Sequence, residues 1–546
     1  MNNFIKKNSV IFFLLGIFLL AASLRFYKLS EFPVGFHIDE AILGYTAYSL
    51  ILTGKDTNNN FYPMYTEVFG DNLPTGYHIL TMLPVKLFGL TELATRFVGA
   101  FFGSITVFAV FFLAFSIFRD KKISLLTALL VALSPWHVSL SRGSSEAEVA
   151  LFFIILGFAC VIHSFNIQQK KYLLYGTVSL LVSYFFYHTP RIFVPILYGS
   201  LMLVFFYWGK IIKQYKVWLL GSFFIIGMSA LLLVFVLPGG SSRFNQISIF
   251  SFPETKLVME EQIREDGVMG AQTLLTRVFH NKVISYFLTF TSNYFDYFTA
   301  NFLFIKGGLP AIFTVPQMGL VYIVELPFFI FGFVLLSISK KTLYKTPLVW
   351  LLLSPVVASF TVDDIPNIRR AAVMIPAIEM IVAYGFFNVI KDSFWKKTIT
   401  YVWVIFLLLN FFYFLHQYFF HQPIHRNWYR NDGFAQMIKT IKNSYTSVDK
   451  IIVTKNAGGI YPLVLFYMQY DPRMYQTEGS PKDHDYKGFG KFIFVPQACP
   501  FHQKHEYFPK GYKVIYIEKG ECATNAQNEK AIFRKDGIKE FNLVYQ

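Results

Sequence analysis

The feature that most constrains this chain is a succession of apolar runs, each near the length of a membrane crossing. A helix spanning roughly 30 Å of hydrocarbon needs about 20 apolar residues, and about eleven such runs follow one another. The first is "SVIFFLLGIFLLAASLRFY", from Ser9. The others lie at 93–118, 123–138, 146–165, 171–187, 191–209, 217–237, 318–338, 347–361, 370–390 and 398–418. With 54% of residues hydrophobic and only 15% charged, the chain reads as an α-helical polytopic membrane protein rather than a string of soluble domains.

The formal charge of +16 does not point to nucleic acid, because the basic residues sit in short clusters at the ends of the apolar runs. Lys6 and Lys7 precede the first run and hold the N-terminus in the cytoplasm. "AAS" could serve as a signal-peptide cleavage site, but the length of the run and the many that follow favour an uncleaved helix. Alternating from there, the cytoplasmic turns become "FRDKK", "NIQQKK", "GKIIKQYK", "SKKTLYK" and "KDSFWKK", each rich in Lys. The opposite face receives a loop at 28–92, the turns "SLSRGSSE", "YHTPR" and "TVDDIPNIRR", a long loop at 238–317 and everything beyond about 420. The expectation is a multi-pass protein of the cell (plasma) membrane.

Residues 1–420 then form the membrane domain, and 421–546 a small exoplasmic α/β domain. In the latter, "DKIIVTKNAGGIYPLVLFYMQYDP" and "KFIFVPQACP" read as buried strands, and "DGFAQMIKTIKNSY" as a helix. Cys499 and Cys522 can pair there if that side is oxidising, whereas Cys160 lies inside an apolar run.

Two adjacent carboxylates, Asp39 and Glu40 in "EFPVGFHIDEAILGYTAYSL", stand shortly after the first span. Three readings compete. Acidic residues suit the first turn of a helix, here one lying along the interface. His37 with the two acids offers metal ligands, though HxDE lacks further ligands at metal-site spacing. A partly desolvated carboxylate is also more basic and can take a proton from an attacking hydroxyl or amine.

The second outer turn, "SPWHVSLSRGSSEAEVALFF", carries Arg142, Glu146 and Glu148. On a continuous helix Arg142 and Glu146 would pair four residues apart, as an ordinary interfacial ion pair or as part of a site. Two more turns add cations: "FFYHTPRIFVP" offers His188 and Arg191, and "TVDDIPNIRRAAVMIP" offers Arg369 and Arg370 beside Asp363 and Asp364. Arginine's planar fork matches phosphate oxygens, and the positive-inside bias predicts few arginines on this face. They read either as helix-end anchors or as contacts to an anionic partner such as a lipid phosphate.

In these residues the chain resembles the GT-C glycosyltransferases, in the branch holding protein O-mannosyltransferases and the lipid A aminoarabinose transferase. The resemblance rests on the acidic pair after the first span, on "SPWHVSLSRGSSEAEVALFF", "YHTPRIFVP", "NYFDYFTANFLFIKGG", "GLVYIVELPFFIFG" and "NIRRAAVMIPAIEMIVAYG", and covers most of residues 9–420. It implies inverting transfer of a sugar from a polyprenyl-phosphate donor, on the outer face, to a protein, lipid or glycan acceptor. By the same resemblance Asp39 matches the catalytic base, Glu40 the adjacent acid, Glu146 the acid of the second loop and Arg142 the arginine before it. His37, His188, Arg191, Arg369 and Arg370 are then candidate donor or acceptor contacts. The aminoarabinose branch often has Lys-Pro-Pro after the first interfacial helix, where this chain has "GDNLPTGYHIL". No cofactor is implied with certainty; the family is mixed in its metal dependence, and a divalent metal stays open. Membrane lipids are the remaining expected partners. A transporter or flippase is the alternative, but it predicts ionisable groups near mid-span, whereas here they gather at one face. A scaffold presenting the C-terminal domain would leave those outer charges unexplained.

Overall fold

In hydrocarbon an apolar run can satisfy its backbone only as a helix or a closed barrel, and these runs form helices. The computed structural model describes residues 2–68, 71–208, 213–270, 272–391, 394–478, 487–503, 511–523 and 528–546. The chain divides into two units, one of Met1–Arg25, Phe101–Ser141 and Ser145–Phe414, the other of Phe26–Ala100, Arg142–Ser144 and Leu415–Gln546.

Among the described residues, six helices are long and apolar enough to cross a membrane: Ser9–Phe26, Glu92–Phe118, Glu146–Ile167, Tyr215–Val236, Ala372–Lys391 and Lys396–His425. Lys121–Leu133 and Pro135–Arg142, bent by 53°, make a seventh if they form one span. Pro190–Val204 and Ile323–Ser337 are apolar but shorter. The expected eleven crossings are therefore more than helix length supports. The run at 171–187 holds a 14-residue helix, Lys170–Ser183, and that at 318–338 a 12-residue helix, Leu326–Ser337, entered through irregular backbone. The run at 347–361 is divided at Ser354 and Pro355 into Thr346–Leu353 and Val356–Ser359, where proline withholds an N–H from the helix ladder. Of the Lys-rich turns, "GKIIKQYK" and "KDSFWKK" lie partly outside the described residues.

In the first unit, helices meet where side chains are smallest. A Cβ on Gly332 of Leu326–Ser337 would lie 2.1 Å from the Ile381 carbonyl oxygen, and one on Gly385 of Ile375–Lys391 would lie 2.0 Å from that of Phe328. Backbone-to-backbone contact of this kind is how membrane helices gain packing without a hydrophobic driving force. The same unit ties its turns to one another by side-chain donors. The Trp136 indole N–H donates to the Ile368 carbonyl at 3.0 Å, and the Tyr322 hydroxyl to that of Leu133 at 2.8 Å.

The second unit holds a hairpin, β1 (Tyr65–Val68) with β2 (Asp71–Pro74), and a six-stranded mixed sheet. The sheet strands are β3 (Lys450–Thr454), β4 (Gly488–Phe489), β5 (Phe492–Val495), β6 (Val514–Lys519), β7 (Glu529–Phe533) and β8 (Lys539–Tyr545), in the order β4-β5-β3-β6-β8-β7. The central β3 runs parallel to both neighbours, and its "KIIVT" is buried on both faces, as an inner parallel strand must be. Ile451 and Val453 face one core, while Ile452 joins Val495, Val514, Tyr516 and Val544 on the other side. The first core takes Phe434, Met437, Ile438 and Ile441 from the helix Phe434–Ser444, at amphipathic spacing. It also takes Phe36, Ala41, Tyr45 and Ala47 from the segment that follows the first span. The C-terminal sheet and the helix Ile38–Thr53 thus share one core. "GGIYPLVLFYMQ" is not a strand but the helix Ile460–Met468, entered through Gly459 and ended by Gln469, both left-handed. Pro462 would have removed a ladder hydrogen bond from a strand, whereas early in a helix it costs little.

Gly385→Val should separate its helix pair and lower stability by about 1–3 kcal/mol, the usual cost of overpacking. Gly16→Ala, at a glycine where an added Cβ would meet nothing within 4 Å, should leave thermal unfolding in detergent unchanged.

Candidate active site

The helix Ile38–Thr53 begins with a reciprocal cap. The Asp39 N–H donates to the His37 imidazole at 3.2 Å, while the His37 N–H donates to the Glu40 carboxylate at 3.0 Å. His37 is therefore an N-cap, and Glu40 is fixed at the third helical position, satisfying donors that a helix start otherwise leaves open.

Glu40 is only 2% exposed and sits between two guanidiniums. Arg96 Nε donates at 2.9 Å and Arg430 Nη2 at 2.5 Å, and the Ser144 hydroxyl adds a bond at 3.1 Å. Arg96 also donates to the carbonyls of Leu29 and Gly35, at 3.1 and 2.6 Å, tying the segment before the helix to the same point. Gly35 has a φ of +79°, and a Cβ there would fall 2.3 Å from the Arg430 carbonyl oxygen. Glu92 lies 3.9 Å from Arg96 and receives the Tyr467 hydroxyl, so two carboxylates stand against two arginines. Burial acts to raise the Glu40 carboxyl, but Arg430 and Arg96 outweigh it and hold the group down at about 2.

Asp39 is placed differently. One residue along a helix is a turn of about 100°, and its side chain is 41% exposed, 3.6 Å from the His37 ring. The adjacent acids thus occupy contrasting environments, one consumed by a buried ion cluster and the other at the surface. Arg142 belongs to the support as well. Fully buried, it donates to the carbonyls of Tyr27 and Phe32 at 2.9 and 3.0 Å and to the Tyr418 hydroxyl at 3.2 Å, and so holds the strap that leads into "FHIDE".

The first unit holds the other candidates. Arg142 ends the helix Pro135–Arg142 and Glu146 begins Glu146–Ile167, with Ser144 left-handed at φ 54° between them. The continuous helix assumed for an i,i+4 pair is broken there. Glu146 instead lies 3.7 Å from Arg369, whose guanidinium also covers the Phe313 ring. Arg370 donates to Thr361 and to the carboxylate and carbonyl of Asp363. Arg191 donates twice to the Tyr184 carbonyl and lies 3.0 Å from His188 Nδ1. A further buried cluster sets Arg25 2.5 Å from His137 Nδ1 and Glu148 2.8 Å from Nε2. That contact pattern places the imidazole proton on Nε2.

Sequence reading missed Arg96 and Arg430. Arg96 carried a signal, being an arginine near the start of an apolar span where a charge needs a partner. Arg430, in "RNWYRND", carried none. Among the described residues, no three His, Cys, Asp or Glu side chains converge on a point able to hold a metal ion.

Residues 15–239 match the model of the family described as dolichyl-phosphate-mannose-protein mannosyltransferase. The match covers less than half of the chain. Its fold is similar to that of ArnT from Cupriavidus metallidurans in the apo state, with a TM-score of 0.56 and 11% identity over 99% of this chain and 98% of that one. The same protein bound to undecaprenyl phosphate matches with a TM-score of 0.54 at 11% identity, over 98% and 97% of the chains. Similar too is the oligosaccharyltransferase AglB from Archaeoglobus fulgidus in complex with an inhibitory peptide and a dolichol-phosphate, with a TM-score of 0.51 and 11% identity over 84% of this chain. This chain covers 64% of the length of that archaeal relative. At such identities the likeness is one of fold. No curated protein matches the sequence.

Glu40→Gln should destabilise the protein by about 3–5 kcal/mol, because both guanidiniums lose their buried counter-charge. The folded carboxyl, near 2, lies below the unfolded value of about 4.3. Its contribution is therefore complete above about pH 5 and is lost as pH falls toward 2. Thermal unfolding followed across that range should show the decline in wild type and a flatter profile in Glu40→Gln.

Proposed function

We propose that this chain transfers a sugar from a lipid-phosphate carrier to an acceptor hydroxyl or amine at the outer face of the membrane, with inversion at the anomeric carbon. The observation that carries this reading is the contrast between Asp39 and Glu40. A buried, doubly paired carboxylate such as Glu40 is a poor proton acceptor, whereas Asp39 is accessible on a helix whose first turn that same Glu40 pins. Asp39 is the general base: it takes the acceptor's proton as the acceptor attacks the face opposite the leaving phosphate. Glu40 and Arg142 are positioning residues. Within the first unit, Arg369 has the fork that a phosphate would need and is paired with Glu146. His188 and Arg191 shape the turn between Lys170–Ser183 and Pro190–Trp208.

The donor class is supported by the family's printed description and by relatives whose structures hold undecaprenyl phosphate and dolichol-phosphate. The outer location is supported by the Lys-rich turns, which assign the N-terminus to the cytoplasm. It is supported as well by the Cys499–Cys522 disulfide, a bond that persists in oxidising compartments.

Asp39→Asn should lower transfer by at least 10²-fold with unchanged thermal unfolding, consistent with loss of a general base. The assay offers the purified protein a panel of polyprenyl-phosphate sugars and reads which carrier loses its sugar; full activity in Asp39→Asn would remove it from the chemistry. For orientation, Asn59→Cys, on an exposed turn of the 28–92 loop, should react with a membrane-impermeant maleimide on intact cells. Protection there would reverse the topology.

A further inference from the structure

The helix that carries Asp39 also lines a cleft of about 40 Å³ in the same unit. Its walls include Ile42 and Thr46 from that helix, Thr57, Asn58 and Glu67 from the following loop and hairpin, and Tyr461 and Tyr475 from the C-terminal region. Asp39, Ile42 and Thr46 are spaced i, i+3, i+7, so they share one helix face. At 1.5 Å per residue, Thr46 stands about 10 Å along the axis from Asp39.

The lining specifies what fits. Thr46 is fully buried and its hydroxyl has no hydrogen-bond partner, a cost that a bound polar group would relieve. The Tyr461 and Tyr475 hydroxyls bond each other, which leaves the two rings, 6.0 Å apart, to act as apolar walls. Asn58 already commits its amide to the Glu67 carbonyl, fixing the loop wall. Among the described lining residues there is a carboxylate and no Lys or Arg, so a phosphate is disfavoured and a neutral hydroxylated group is favoured. A single water needs about 10–15 Å³, so the space suits the hydroxyl-bearing edge of a ring and not a whole sugar.

We infer that this cleft is an acceptor subsite that holds one hydroxylated edge of a neutral saccharide while a hydroxyl about two sugar units away reaches Asp39. The inference rests on Asp39 being the base and makes the acceptor a glycan.

The test is saturation-transfer NMR on the purified full chain in a detergent without a sugar head group. The probes are cellobiose, maltose and chitobiose, with a Ser/Thr-rich peptide at equal concentration. The expected result is binding of at least one disaccharide to wild type, weakened fivefold or more by Thr46→Val, which keeps shape and removes the hydroxyl, and by Thr57→Leu, which narrows the cleft. No disaccharide binding to wild type, equal binding by a Thr46→Val protein of unchanged thermal stability, or binding of the peptide alone would each overturn the inference. The readout needs no turnover: full transfer by Asp39→Asn would refute the base and leave a Thr46-dependent binding result standing, whereas intact chemistry without Thr46-dependent binding would refute the cleft alone.

Discussion

The local architecture depends on the Glu40 carboxylate being held between Arg96 and Arg430. The three come from positions far apart in the chain, yet each is at most 2% exposed. Buried ions of this kind are not a cheap source of stability, because desolvation offsets most of their attraction. What they do provide is position. Removing any member leaves an uncompensated charge, so the helix Ile38–Thr53, the strap before it and the segment at Arg430 stay in register or separate together. The hydrogen bonds from Arg96 to Leu29 and Gly35 extend that control to the backbone on which Asp39 is presented.

Helix geometry explains how neighbours can divide the work. Residues one apart point about 100° away from each other, so an acidic dipeptide at a helix start can send one carboxylate inward and one outward. The inward acid needs strong donors, and two guanidiniums supply them. The outward acid then sits near the surface, 3.6 Å from the His37 ring, on a first turn whose place is fixed.

Much of the fold was legible because membrane helices and amphipathic helices announce themselves by composition and period. The helix Phe434–Ser444 and the strands around Ile451 and Phe492 were read where they occur. "IYPLVLFYM" was not, since a short, wholly apolar run has no period to separate a strand from a buried helix, and Pro462 was the cue that should have decided it. The roles within the acidic pair were equally illegible. They depend on Arg430, which is distant in sequence and whose partner only the fold reveals. The bent turn between Arg142 and Glu146 hid for a related reason: Ser144 in a left-handed conformation interrupts what spacing alone suggests is one helix face.

The arginines of the turns show why residue type alone overstates a binding site. Their number asked for an anionic partner, and the fold answers most of the demand internally. Arg142 and Arg191 are spent on backbone carbonyls, and Arg370 on Asp363 and Thr361, at ordinary hydrogen-bond distances. Arg369 is paired with an acid instead. Glu146 lies 3.7 Å away, and the guanidinium covers the Phe313 ring. A phosphate would accept the same planar fork as that carboxylate, so an arginine on its own does not mark a binding site.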